Sequence, residues 1–159
     1  SIFFIAKHRN NINIDSITDM HMNTTSYHHA TCVSINGHGI LILGESGSGK
    51  SDLALRLIHA GAVLVADDQV KLAAENGCLL ASCPERIMGR IEARGVGIVT
   101  LPHIQNIPLA LAVQLVERKL VERLPETAFF DCFGVQVPLL SLHAFDASVS
   151  AKIFLYLTS

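Results

Sequence analysis

The chain has 159 residues, enough for one domain with a real core that buries about 70% of its extended surface. Hydrophobic residues make up 50%, charged residues 16%, and the net charge is −2. This excludes a chain that is disordered throughout, and it gives no general attraction to nucleic acid or an anionic membrane.

Residues 1–26 are rich in Asn, Thr, Ser and His without a sustained period, and are expected to form a poorly ordered N-terminal arm. The opening "SIFFIAK" is too short for a signal-peptide core, and Met22 is a candidate start. Residues 27–159 are expected to be one domain. "TCVSIN" and "GILILG" read as two strands around a turn at Gly37-His38-Gly39. Ser51 to Ala60 places Leu53, Ala54, Leu57 and Ile58 on one helical face, with Gly61 as its C-terminal glycine. Ala62 to Ala66 reads as a buried strand. A hairpin is expected to turn at Asn76-Gly77. Pro84 to Met88 has the pattern of a single helical turn.

Beyond Arg90 the runs Ile91–Ile98, Leu109–Glu117 and Val135–Leu142 are strand-like, and Ser148–Leu157 reads as a closing helix. The fold class is therefore α/β with a strand-rich core. The uncharged run Val99–Val116 holds Pro102, His103, Gln105, Asn106 and Pro108, which argues against a spanning helix. The four cysteines have no C-x-x-C or zinc spacing and are read as buried thiols in a reducing cytosol. The eight histidines show no metal-ligand spacing either. These features lead to the expectation of a cytoplasmic protein without nucleic-acid or membrane partners.

Gly44-Glu45-Ser46-Gly47-Ser48-Gly49-Lys50-Ser51 matches G-x-x-x-x-G-K-[ST], the phosphate-binding loop. The glycines let backbone N–H groups converge on anionic oxygens, Lys50 supplies a charge to the β- and γ-phosphates, and Ser51 offers its hydroxyl to Mg²⁺. The loop lies between an apolar strand and an amphipathic helix, the context that this motif requires. Glu45 is unusual in an anion site and should point outward.

Asp67 and Asp68 end the next strand. A right-handed crossover would run that strand parallel to "GILILG", so that the loop and the carboxylates face one crevice. One carboxylate could then reach Mg²⁺ and the other accept a proton from a hydroxyl attacking the γ-phosphate. A solvated turn is the alternative.

The run "GESGSGKSDLALRLIHAGAVLVADD", with "IEARGVGI" at Ile91–Ile98, resembles the catalytic domain of bacterial HPr kinase/phosphorylase, and specifically its short, proteobacterial type. The resemblance extends from about His29 to the C-terminus. It implies a P-loop kinase domain of the HPr kinase/phosphoenolpyruvate carboxykinase-like kind. The implied activity is ATP-dependent phosphorylation of a serine on an HPr-like phosphocarrier of the phosphotransferase system, with the reverse phosphorolysis in many members. The resemblance assigns ATP to Gly44 through Ser51, Mg²⁺ to Ser51 and Glu92, proton acceptance to Asp68 with Asp67 beside it, and functional roles to His29 and Arg123.

A surface histidine and a solvated arginine are the plain alternatives for His29 and Arg123, and an exposed strand face for Glu92 and Arg94. The family also implies a homo-oligomer, a hexamer in its longer members. Those members have an N-terminal regulatory domain that this sequence does not include, and a proline-arginine-glycine-arginine loop where this chain has His143 to Ser148. The kinase direction is therefore expected more strongly than the phosphorylase direction. A small-molecule kinase and a nucleotide-sensing module without turnover are the rival readings; a GTPase is disfavoured because N-K-x-D is absent.

Overall fold

A computed structural model of the chain describes residues 24–159. Residues 1–23, which hold most of the expected arm, lie outside the described residues. Thr25 and Ser26, also assigned to that arm, instead belong to the first strand, β1 (Thr25–His28), which pairs antiparallel with β5 (Val70–Glu75).

Two hairpins begin the recognisable architecture. β2 (Thr31–Ile35) and β3 (His38–Leu43) are joined at Asn36-Gly37, with φ of 51° and 82°. The turn starts earlier in the chain than the glycine pair alone implies, because a two-residue connection of this hand needs positive φ at both central positions. β5 and β6 (Cys78–Ser82) turn at Asn76-Gly77 in the same way.

Helix α1 (Lys50–His59) buries Lys50, Leu53, Ala54 and Leu57, the spacing of one helical face. It ends where Gly61 takes φ 116° and the Ala62 N–H reaches the Leu57 carbonyl at 3.0 Å, which satisfies a terminal acceptor. β4 (Val63–Ala66) comes directly after it. Pro84 leads into a short 3-10 turn, Glu85–Ile87.

The run Ile91–Ile98 is two strands, β7 (Arg90–Ala93) and β8 (Gly97–Thr100), folded into a separate two-stranded sheet. Gly95 and Gly97 have positive φ at its turn. β9 (Ile107–Leu115), a second short 3-10 turn (Arg118–Leu120), β10 (Phe129–Cys132), β11 (Val135–Leu142) and α2 (Val149–Thr158) complete the chain.

The main sheet has the order β1-β5-β6-β9-β3-β2-β4, with β11 parallel to β9 and β10 paired to β11. β3 and β9 are parallel. β2, β3 and β9 are buried on both faces, hence their continuous apolar runs. Ile40, Ile42, Leu111 and Val113 pack toward Leu53 and Leu57 of α1 and Ile153 of α2. Leu41 and Ala112 point the other way, where the curled sheet brings Leu72 of β5 and Ala81 of β6 over them.

Cys32 and Cys83 are buried free thiols, but Cys78 is exposed and Cys132 half-buried, so only two of the four match the buried-thiol expectation. Burial pushes the Cys32 thiol up to about 12. Among the described residues no helix is long and apolar enough to cross a membrane.

Candidate active site

β3 and β4 both run antiparallel to β2, which lies between them. They therefore point the same way, and their C-terminal ends lie at the same edge. The Gly44–Ser51 loop extends from β3, and Asp67 and Asp68 extend from β4. One cavity of about 390 Å³ is lined by both. Its walls are Ser46, Gly47, Gly49, Lys50 and Ser51 from the loop, His29 and Thr31 from the start of β2, Asp67 and Asp68, Glu92 and Arg94 from the β7–β8 hairpin, Asp52 and Leu55 from α1, and Phe145.

The loop is built for close approach of a ligand to backbone. Gly47 and Gly49 have φ of 80° and 99°, which side-chain-bearing residues rarely adopt. A Cβ on Gly44 would lie 2.4 Å from the Ser48 hydroxyl, and one on Gly49 would lie 2.8 Å from Phe145 Cζ. Glu45 is exposed, consistent with an outward carboxylate, and its backbone carbonyl accepts from Lys50 Nζ at 2.9 Å. The Gly44 carbonyl accepts from the same ammonium at 2.8 Å. Lys50 is buried, and desolvation holds its ammonium below the ordinary lysine value, while the negative charges of Asp67 and then Asp68 pull the other way.

The two aspartates are neighbours in sequence but occupy different environments. The Gln69 N–H closes a tight turn onto the Asp67 carbonyl at 2.9 Å, with Asp68 central at φ 72°. Left-handed backbone in a residue other than glycine is costly and clusters at functional sites. The turn sends the two carboxylates apart. Asp67 is 7% exposed. Its Oδ1 accepts from Ser51 Oγ at 2.7 Å and from the buried Thr31 Oγ1 at 2.9 Å, and the Glu92 N–H approaches Oδ2 at 3.4 Å. The Asp68 side chain is 78% exposed, with Oδ1 3.5 Å from His29 Nδ1. The same ring nitrogen lies 3.1 Å from the Asp68 backbone oxygen.

The structure thus gathers His29, Ser46, Gly47, Gly49, Lys50, Ser51, Asp67, Asp68 and Glu92 around one cavity, with Gly44, Glu45 and Ser48 shaping its loop. Arg123 is not a lining residue; it sits in the exposed segment 122–129. Sequence reasoning missed Thr31 and Phe145. A threonine at a strand start and a phenylalanine in a connection have no local signal, because their importance comes from what the fold places beside them.

The donors around Ser51, Asp67 and Glu92 are hard oxygens, the ligand type that magnesium takes. Among the described residues no group of three or more His, Cys, Asp or Glu side chains forms a self-sufficient metal cage. The positive φ of Gly47 and Gly49 and the open space beside Gly47 leave loop backbone accessible to a phosphate chain, while Gly44 is required by the close packing of Ser48 and Leu115.

A family profile described as HPr Serine kinase C-terminal domain matches residues 20–153. HPr kinase/phosphorylase from Caldicellulosiruptor bescii is 36% identical over 124 residues, covering 70% of this chain and 40% of that protein. HPr kinase/phosphorylase from Clostridium botulinum (strain Eklund 17B / Type B) is 41% identical over 83 residues, covering 52% of this chain and 27% of that protein. The chain therefore spans well under half the length of these curated relatives. The solved structure of the Hpr(Ser) kinase/phosphatase from Coxiella burnetii superposes with a TM-score of 0.72 at 28% identity, covering 84% of this chain and 88% of that one. Ordered motifs, mixed-sheet architecture and profile agree: the chain belongs to the HPr serine kinase C-terminal domain family.

Proposed function

We propose that this chain is an ATP- and Mg²⁺-dependent protein serine kinase that phosphorylates an HPr-like phosphocarrier, working in the cytoplasm as a homo-oligomer. One observation carries the reading: a single cavity joins the phosphate loop to an exposed carboxylate, Asp68, whose neighbour Asp67 is tied to the loop serine.

The two carboxylates divide the work. Asp67, oriented by Thr31 and Ser51, would hold a magnesium ion together with Ser51 and Glu92. A magnesium ion held there would supply positive charge to offset the negative charge of the phosphates. Asp68 faces solvent, where an incoming serine hydroxyl can reach it, and accepts that hydroxyl's proton. His29, beside Asp68, orients its carboxylate. Lys50 gives up its loop carbonyls to meet the β- and γ-phosphates, and Arg94 offers a second cation from the β7–β8 hairpin. Arg123 is given no step, since it does not line the cavity.

The test is incubation of the purified protein with ATP, Mg²⁺ and an HPr-like carrier, with phosphoserine read by mass spectrometry. Asp68→Asn is expected to lower turnover about 100-fold or more while leaving ATP binding in place. ATP binding without carrier phosphorylation would reject the kinase reading and favour a sensing module. Running phosphorylated carrier with inorganic phosphate reads the phosphorylase direction.

A further inference from the structure

Phe145 is an exposed aromatic ring in a cavity whose only other large apolar lining residue is Leu55. It is 57% exposed and lines the same space as Lys50 and Ser51. Scattered exposed apolar side chains are ordinary, but this one is held in place from several directions. Arg56 of α1 bonds Asp52 Oδ2 at 3.0 Å, donates to the Ala144 carbonyl and lies over the Phe145 ring, 6.0 Å from its centroid. His143 meets the ring edge-on at 6.0 Å, and its own Nδ1 contacts the Val116 carbonyl at 3.0 Å. Asp146, on the other side, is paired with Arg118. The ring thus has Arg56 over one face and His143 at its edge, while more than half of the residue stays exposed.

Its placement fits one ligand part. The Asp pair reaches the phosphate loop at Ser51; Phe145 reaches it at Gly49, beside Asp52 and Arg56. A triphosphate lying along the loop with its terminal group at Asp67–Asp68 carries its base toward the Phe145 contact. The geometry points to Phe145 as the stacking platform for the nucleobase of the bound nucleoside triphosphate, with Arg56 as the residue that positions it. This rests on the nucleotide-binding reading above and adds to it the residue that distinguishes a nucleotide from bare polyphosphate.

The experiment compares ATP with inorganic tripolyphosphate, which has the phosphates but no base. Both are titrated calorimetrically in the presence of Mg²⁺ into the full chain and its Phe145→Leu and Phe145→Tyr variants. Leucine keeps apolar bulk against Gly49 and removes the aromatic face; tyrosine keeps the face. Phe145→Leu is expected to weaken ATP on the order of tenfold and leave tripolyphosphate unchanged, with Phe145→Tyr close to the parent. Equal weakening of both ligands would show that Phe145 only shapes the loop, and no change for either would show that it touches neither; each result overturns the inference. A parent protein that binds neither ligand would instead defeat the proposed function itself, and the stacking role with it.

Discussion

Thr31→Val tests the idea that Asp67 is held by a dedicated set of donors. Thr31 is 1% exposed, and its hydroxyl donates to Asp67 Oδ1 at 2.9 Å. Valine has nearly the same shape and suits a strand, so the change opens no cavity and leaves the backbone of β2 unstrained. What it removes is one hydrogen bond to a buried carboxylate. Bonds to charged groups contribute about 1.5–3 kcal/mol, and the strained turn at Asp68 leaves Asp67 little freedom to find a new donor. The expected loss at neutral pH is about 2 kcal/mol. Urea unfolding reads it as a lower midpoint with an unchanged slope. Thr31→Ser should recover most of the loss. In an Asp67→Ala background the effect of Thr31→Val should largely vanish, because the acceptor is gone. A cost below about 0.5 kcal/mol in the parent, or an equal cost in both backgrounds, would refute the coupling.

Gly49→Ala places a Cβ 2.8 Å from Phe145 Cζ and 2.9 Å from Ala144 Cβ at a φ of 99°. It should cost about 1–3 kcal/mol in unfolding experiments and weaken nucleotide binding in calorimetry. Lys50→Met concerns pH. The folded chain holds Lys50 below its ordinary value, so the unfolded chain binds that proton more tightly. The ligand-free parent should therefore gain stability relative to Lys50→Met as pH rises through the window just below the ordinary lysine value. Chemical denaturation from pH 7 upward measures this, and a difference that stays flat or falls would contradict the burial.

Local features were readable from the chain wherever a residue's own chemistry dictates backbone shape. The phosphate loop, the 3.6-residue period of Leu53, Ala54 and Leu57, and the Asn76-Gly77 turn all act within a few residues of themselves. The turn at Phe133-Gly134, joining β10 to β11, has the same positive φ pair, at 52° and 76°, yet phenylalanine carries no turn signal. There the pairing of Phe129–Cys132 with Val135–Pro138 imposes the conformation on an unfavourable residue.

The division of labour between Asp67 and Asp68 lay on the other side of that line. The chain supplied two adjacent carboxylates beyond a buried strand, and with the loop motif it led to the expectation that they face one crevice. Only the folded sheet set β2 between β3 and β4, bringing Thr31 from 36 positions away onto Asp67 and turning Asp68 toward His29. Two identical side chains next to each other have no intrinsic difference. Their burial, their donors and hence their chemistry come from residues distant in sequence, which tertiary packing alone selects.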